Sequence, residues 1–243
     1  MERSPPRLVF LGPTLPRAQA EDICDAIYLP PAAQGSIVTA VERHAPCAIL
    51  IIDGIFQSEP AVRHKEILWA MARGITVLGA ASMGALRAAE LDRHGMLGVG
   101  LIYRWYRRFA FAPDDAVAVL HMPEEIGSAA MTLSLIDLLM TFRRAERRGL
   151  IDRSARSRLD IAARKLNYRE RTLAQVAKTA GLASDCAVLE QHLVEQKRKD
   201  AVLGLATLAK VNMQPAPRCA DFTWTTAFMR DLRHANITLP GDR

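Results

Sequence analysis

Cysteine is scarce and scattered. The four cysteines of the 243-residue chain, Cys24, Cys47, Cys186 and Cys219, form no C-x-x-C pair, which argues against a zinc knuckle or a thioredoxin-type redox motif. Aromatic residues make up only 6%. A single one, Tyr168, interrupts the densest run of basic residues, so the interleaved stacking platform of a single-strand nucleic-acid binder is missing. No run approaches the roughly 20 apolar residues of a membrane span, and the opening MERSPPRLVF has no apolar signal-peptide core. The expectation is a cytoplasmic protein with reduced thiols, no membrane contact and no nucleic-acid partner. Also absent are G-x-x-x-x-G-K-[ST], G-x-G-x-x-G and H-E-x-x-H. The chain thus lacks a standard ATP cradle, a dinucleotide fingerprint and a zincin site, and no cofactor or metal is expected.

What is present is a pattern that alternates. Half of the residues are hydrophobic, enough for a sizeable core. Short apolar runs fall at 7–12 (RLVFLG), 48–54 (AILIIDG) and 75–81 (ITVLGAA), with a weaker one at 116–121 (AVAVLH). Helical patterns lie between them, at about 17–27, 35–44, 59–73 and 83–92. Fully apolar strands separated by helices read as a parallel sheet covered on both faces. Beyond Glu124 the spacing predicts helices alone, over 124–149, 151–166, 169–180, 184–209 and 221–236. The fold class is α/β: an N-terminal parallel-sheet domain covered by helices over 1–125, followed by an α-helical, basic C-terminal region over 126–243.

All three strong strands end in small or turn-forming residues: Gly12-Pro13-Thr14, Asp53-Gly54 and Ala80-Ala81-Ser82-Met83-Gly84. In a parallel sheet these ends share one edge, where ligands of open α/β folds bind. Ser82 stands at a strand-to-helix corner whose A-A-S-M-G pattern is one glycine short of a nucleophile elbow. Three roles are open to it: helix cap, anion-binding hydroxyl or nucleophile. The best local base is His64, adjacent to Lys65 and Glu66 in an otherwise apolar helix that Pro60 opens, with Ser58 or Glu59 as its cap. Asp53, at a strand end, is a functional carboxylate or the first residue of an Asp-Gly turn.

The formal charge is +6, and it is uneven. Residues 141–171 hold eleven Arg/Lys against four acids. This is a solvated helix surface or a docking face for an acidic peptide or protein.

Several segments together carry a family likeness: FLGPTLP, YLPPAAQGSI, IIDGIFQSEPAVRHKEILWAMARGITVLGAASMGALRAAEL, GMLGVGLIYRWY and DDAVAVLH. Over about residues 7–125 the chain resembles the TfuA-like family, most specifically in the HKEILWA and GAASMGALRAAEL blocks. Such proteins accompany YcaO enzymes, which use ATP to activate a peptide amide oxygen that sulfide then replaces. The resemblance implies three partners: a YcaO-type ATP-dependent enzyme, a ThiS-like sulfur carrier protein and a precursor peptide. It also implies a route in which a thiocarboxylate on the carrier is hydrolysed to release sulfide. In that route Ser82 is the nucleophile, His64 the base, and Glu66 or Asp53 orients it. Gly12, Pro13, Thr14, Gly54, Lys65, Met83 and Gly84 would line the substrate. The alternative is a non-catalytic accessory that binds and positions the YcaO enzyme.

Overall fold

The structure, a computed structural model, describes residues 5–56, 59–109, 111–121, 130–211 and 222–237. Five strands, β1 (Arg7–Phe10), β2 (Ile27–Leu29), β3 (Ala48–Ile51), β4 (Thr76–Ala80) and β5 (Leu97–Val99), form an all-parallel sheet in the order β2-β1-β3-β4-β5. Between and after them run α1 (Arg17–Glu21), α2 (Ser36–His44), α3 (His64–Ala72), α4 (Met83–Leu91) and α5 (Gly100–Arg108). Parallel strands need such crossovers, and they cover the sheet with helices. That is why β3 is apolar at every position and wholly buried. The α/β class is borne out.

The helical region contains α6 (Leu135–Arg147), α7 (Arg153–Lys165), α8 (Leu173–Thr179), α9 (Cys186–Glu190), α10 (Gln196–Ala209) and α11 (Thr226–His234). Ser134, Asp152, Thr172 and Thr225 each accept the N–H three residues ahead, at the starts of α6, α7, α8 and α11.

Two compact units emerge: Met1–Arg108 together with Asp200–Arg243, and Phe109–Lys199. The sequence suggests one boundary at 125/126, whereas the chain crosses between units twice. The cause is α10. Its Ala201, Leu205 and Leu208 are fully buried in one cluster with Val9, Leu50, Leu78 and Ala80, so this late helix covers one face of the sheet.

Other expectations also shift. The 116–121 run forms no strand, because Asp114–Val117 is a short 3-10 turn. Strands β2 and β5 were not expected, and each is only three residues long. The helix expected over 17–27 stops at Glu21, because Ile27 already pairs with Leu8 in the sheet. The one expected over 59–73 starts only at His64. Its proposed cap Ser58, and residues 124–129 of the next predicted helix, lie outside the described residues.

Candidate functional site

In this strand order the topological switch point lies between β1 and β3, and an open sheet of this kind binds ligands outside the carboxyl ends there. Gly12-Pro13-Thr14 follows β1 and Asp53 follows β3. The two meet closely. The Asp53 carboxylate is buried and accepts the Gly12 N–H (2.9 Å), the Thr14 N–H (3.2 Å) and the Thr14 hydroxyl (2.6 Å). Backbone amides that would hold a ligand anion are thereby filled by the chain's own carboxylate. Asp53 ties two loops together and does not orient His64.

Glu66 is likewise committed to the fold. Its carboxylate accepts the Gly35 N–H (2.9 Å), the Ile37 N–H (3.2 Å) and the Arg63 N–H (2.9 Å). It therefore holds the N-terminus of α2 and the start of α3 at once. Burial pushes its carboxyl up to about 7, against the pull of the backbone N–H groups of Arg63, Gly35, Ile37 and Val38.

His64 has a different partner from either expected carboxylate. Its Nε2 sits 2.7 Å from a Glu90 carboxylate oxygen that also accepts from Arg87 (2.7 Å). Burial of Glu90 works against its ionisation, but the His64 hydrogen bond and the Arg87 charge hold its carboxyl below the usual range. Glu90 lies eight residues after Ser82, about 12 Å along α4 at 1.5 Å per residue. His64 thus sits toward the far end of α4 from Ser82, and the expected Ser–His convergence is not formed. Lys65 turns away too, donating to the Thr223 carbonyl (3.1 Å) and lying over the Phe222 ring.

The Ser82 corner is where the sequence reading gains most. Ser82 is the N-cap residue of α4, yet its side chain makes no capping hydrogen bond. The hydroxyl has no partner among the described residues, although the residue is only 8% exposed. Ala81 stands at φ 65°, a left-handed value that costs a residue with a Cβ, and the Ser82 N–H closes a three-residue turn onto the Ala80 carbonyl (2.9 Å). The next N–H, that of Met83, has no acceptor among the described residues. Gly84 uses its own N–H on the Ile52 carbonyl (3.2 Å). A side chain at Gly54 would run into Met83, whose own side chain is buried. A hydroxyl spared from capping, beside a free N–H on a strained strand-to-helix turn, has the layout of a nucleophile elbow with an oxyanion donor.

The sequence reading missed the left-handed turn at Ala81, because no residue type announces a positive φ in alanine. It also missed a cavity of about 510 Å³ whose lining includes Gln34, Pro60, Arg63, Arg230 and His234, since α11 lies far away in the chain. Among the described residues no cluster of His, Cys, Asp or Glu could hold a metal ion, and no helix is long and apolar enough to cross a membrane.

Fold and corner together define a doubly wound α/β protein with an elbow-like serine at the carboxyl edge of its sheet. Residues 53–172 match the family model described as TfuA-like protein, and this stretch belongs to the TfuA-like family. The match begins at Asp53, includes His64 and Ser82, and runs into the helical region as far as Thr172, beyond the segments that carry the resemblance in the sequence. Comparison with curated proteins finds no match.

Proposed function

We propose that this chain serves backbone thioamide formation in the cytoplasm beside a YcaO-type ATP-dependent enzyme, by releasing sulfide from a thiocarboxylated ThiS-like carrier. The observation that carries the reading is the unbonded Ser82 hydroxyl next to the unbonded Met83 N–H. In this reading the hydroxyl oxygen attacks the thiocarboxylate carbon. The Met83 N–H steadies the charge that develops on oxygen. The C–S bond breaks, the serine proton leaves on sulfur as hydrosulfide, and the carrier is held as an ester on Ser82. Water then cleaves the ester, returning the serine hydroxyl and a carrier carboxylate with release of a proton. The departing sulfur takes the serine proton, so the first step does not require His64. The chain needs no ATP of its own, which agrees with the missing phosphate-binding loop.

A second reading is supported by the commitment of Asp53, Glu66 and His64 to other partners. It makes the chain a non-catalytic accessory that positions the YcaO enzyme for its precursor peptide. One assay separates the two: sulfide release from a thiocarboxylated carrier, without YcaO enzyme or ATP. Wild type is expected to release sulfide, Ser82→Ala to lose at least about 100-fold in rate, and His64→Ala to retain activity. Ser82→Ala is also expected to melt like wild type, since no cap bond worth about 1 kcal/mol is there to lose. A folded wild type that releases nothing alone but accelerates thioamidation by the YcaO enzyme would establish the accessory reading.

A further inference from the structure

The basic run of the second unit is sorted by folding. Four acids accompany eleven bases in 141–171, and three of those acids are committed within the unit. Arg156 takes both Glu146 (2.8 Å) and Asp160. Asp152 caps α7 by accepting the Ala155 N–H (2.7 Å). One base also turns inward: Arg171 is buried and pairs with Asp115 (2.9 Å). Of the remaining bases Arg144 is half-buried and the others face solvent, Arg158 with one guanidinium N–H donated to the Ala180 carbonyl (3.4 Å) and the rest of its fork open. Arg147, Arg148, Arg153, Arg158, Arg164 and Lys165 are exposed, with no carboxylate in ion-pair reach among the described residues.

Helical spacing then makes a specific pattern on α7. Arg158 and Arg164 lie three residues either side of Ile161, and Lys165 four beyond it, so all four share one face. Ile161 is 52% exposed. Leu150, between α6 and α7, is 39% exposed and follows Arg147 and Arg148. A single exposed aliphatic side chain is ordinary. An aliphatic one ringed by unpaired cations, on a helix whose nearby acids are withdrawn, has the layout of an apolar anchor inside a charged rim.

We propose that the exposed face of α7 docks an acidic amphipathic segment of a partner polypeptide. Carboxylates of that segment pair with Arg158, Arg164 and Lys165, and an apolar side chain covers Ile161. A phosphate backbone would satisfy the cations but leave Ile161 uncovered, and the two aromatic residues of 141–171, Phe142 and Tyr168, are buried and offer bases no stacking face. The inference goes beyond the sulfide chemistry and does not rest on it.

The test uses the full chain and fluorescence anisotropy. The probe is a labelled synthetic peptide of about 15 residues, with glutamate at its polar positions and leucine at helical spacing. An all-glutamate peptide and a single-stranded DNA of equal length are the comparisons. The amphipathic peptide is expected to bind more tightly than either, and to weaken as salt rises. Arg158→Glu with Arg164→Glu is expected to weaken it about 10-fold or more. Ile161→Ser is expected to weaken it several-fold while leaving the salt dependence in place. These side chains are exposed, and circular dichroism verifies that the variants keep their helices. Binding of the amphipathic peptide no tighter than the all-glutamate peptide or the DNA overturns the proposal, as does binding that Ile161→Ser leaves unchanged.

Discussion

Glu66 is 1% exposed, and its carboxyl is pushed up to about 7 by burial from a reference of 4.5. Between those values the folded protein holds a proton that the unfolded chain has lost. The contribution of Glu66 to stability therefore falls as pH rises from about 4.5 to about 7, and levels off above. A shift of this size corresponds to something on the order of 3 kcal/mol. Urea unfolding at a series of pH values should show that decline in wild type. Glu66→Gln should remove this component of it while lowering stability at every pH, because an amide offers one acceptor oxygen where the carboxylate serves three N–H groups through two. The same residue shows what was legible in the sequence. His64, Lys65 and Glu66 stand in a row, and the sequence marks all three as polar in an apolar helix. Successive helical positions point about 100° apart, so they diverge to Glu90, to Thr223 and to the α2 N-terminus. Adjacency in sequence marked the block as unusual without bringing its members together. Ser82 was legible because small neighbours announce a tight corner. Its freedom from capping was not, because it depends on the backbone angles of Ala81 and Ser82.

The strand-to-helix unit of β4 and α4 is held by a backbone approach that only glycine permits. A Cβ on Gly84 would stand 1.7 Å from the Ile51 carbonyl oxygen. The first turn of α4 thus lies directly against the end of β3, and this contact sets where Ser82 sits. Gly84→Ala should gain the better helix propensity of alanine, about 1 kcal/mol, and lose more, because the obstacle is backbone that does not swing aside. We expect a net destabilisation of at least about 2 kcal/mol in urea unfolding, with sulfide release lost together with stability. Gly84→Val should fail to fold. A Gly84→Ala protein as stable as wild type would mean that α4 does not sit where the structure puts it. Elements of this kind were well read from sequence: long apolar strands such as AILI admit one interpretation, and the helix after Ser82 starts at Met83 as its Ala-rich pattern suggests. The short edge strands were not. IYL and LGV are too brief for a period to establish itself, and their strand character comes from pairing with β1 and β4.

At the scale of the whole molecule, sequence order misleads about what belongs together. The α/β unit is assembled from two stretches of chain, Met1–Arg108 and Asp200–Arg243. Without the second stretch, Val9, Leu50, Leu78 and Ala80 lose Ala201, Leu205 and Leu208 as cover, and a face of fully apolar strands meets water. That position in the fold was hidden because α10 opens on four charged residues, Lys197–Asp200, and continues in small and aliphatic residues with no motif that names its partner. The helical unit, Phe109–Lys199, is contiguous, carries its own cap residues Ser134, Asp152 and Thr172, and encloses its own buried residues, Phe142, Leu159 and Val176 among them. Two excised fragments should then behave oppositely. Residues 109–199 should unfold in one cooperative thermal transition with helical circular dichroism. Residues 1–108 should bind a hydrophobic dye and elute as aggregates on size exclusion, and should become monomeric only when 200–209 is restored through a linker. A soluble, cooperatively melting 1–108 would mean that α10 is dispensable cover and that the α/β unit ends, as the sequence order suggests, in the first half of the chain.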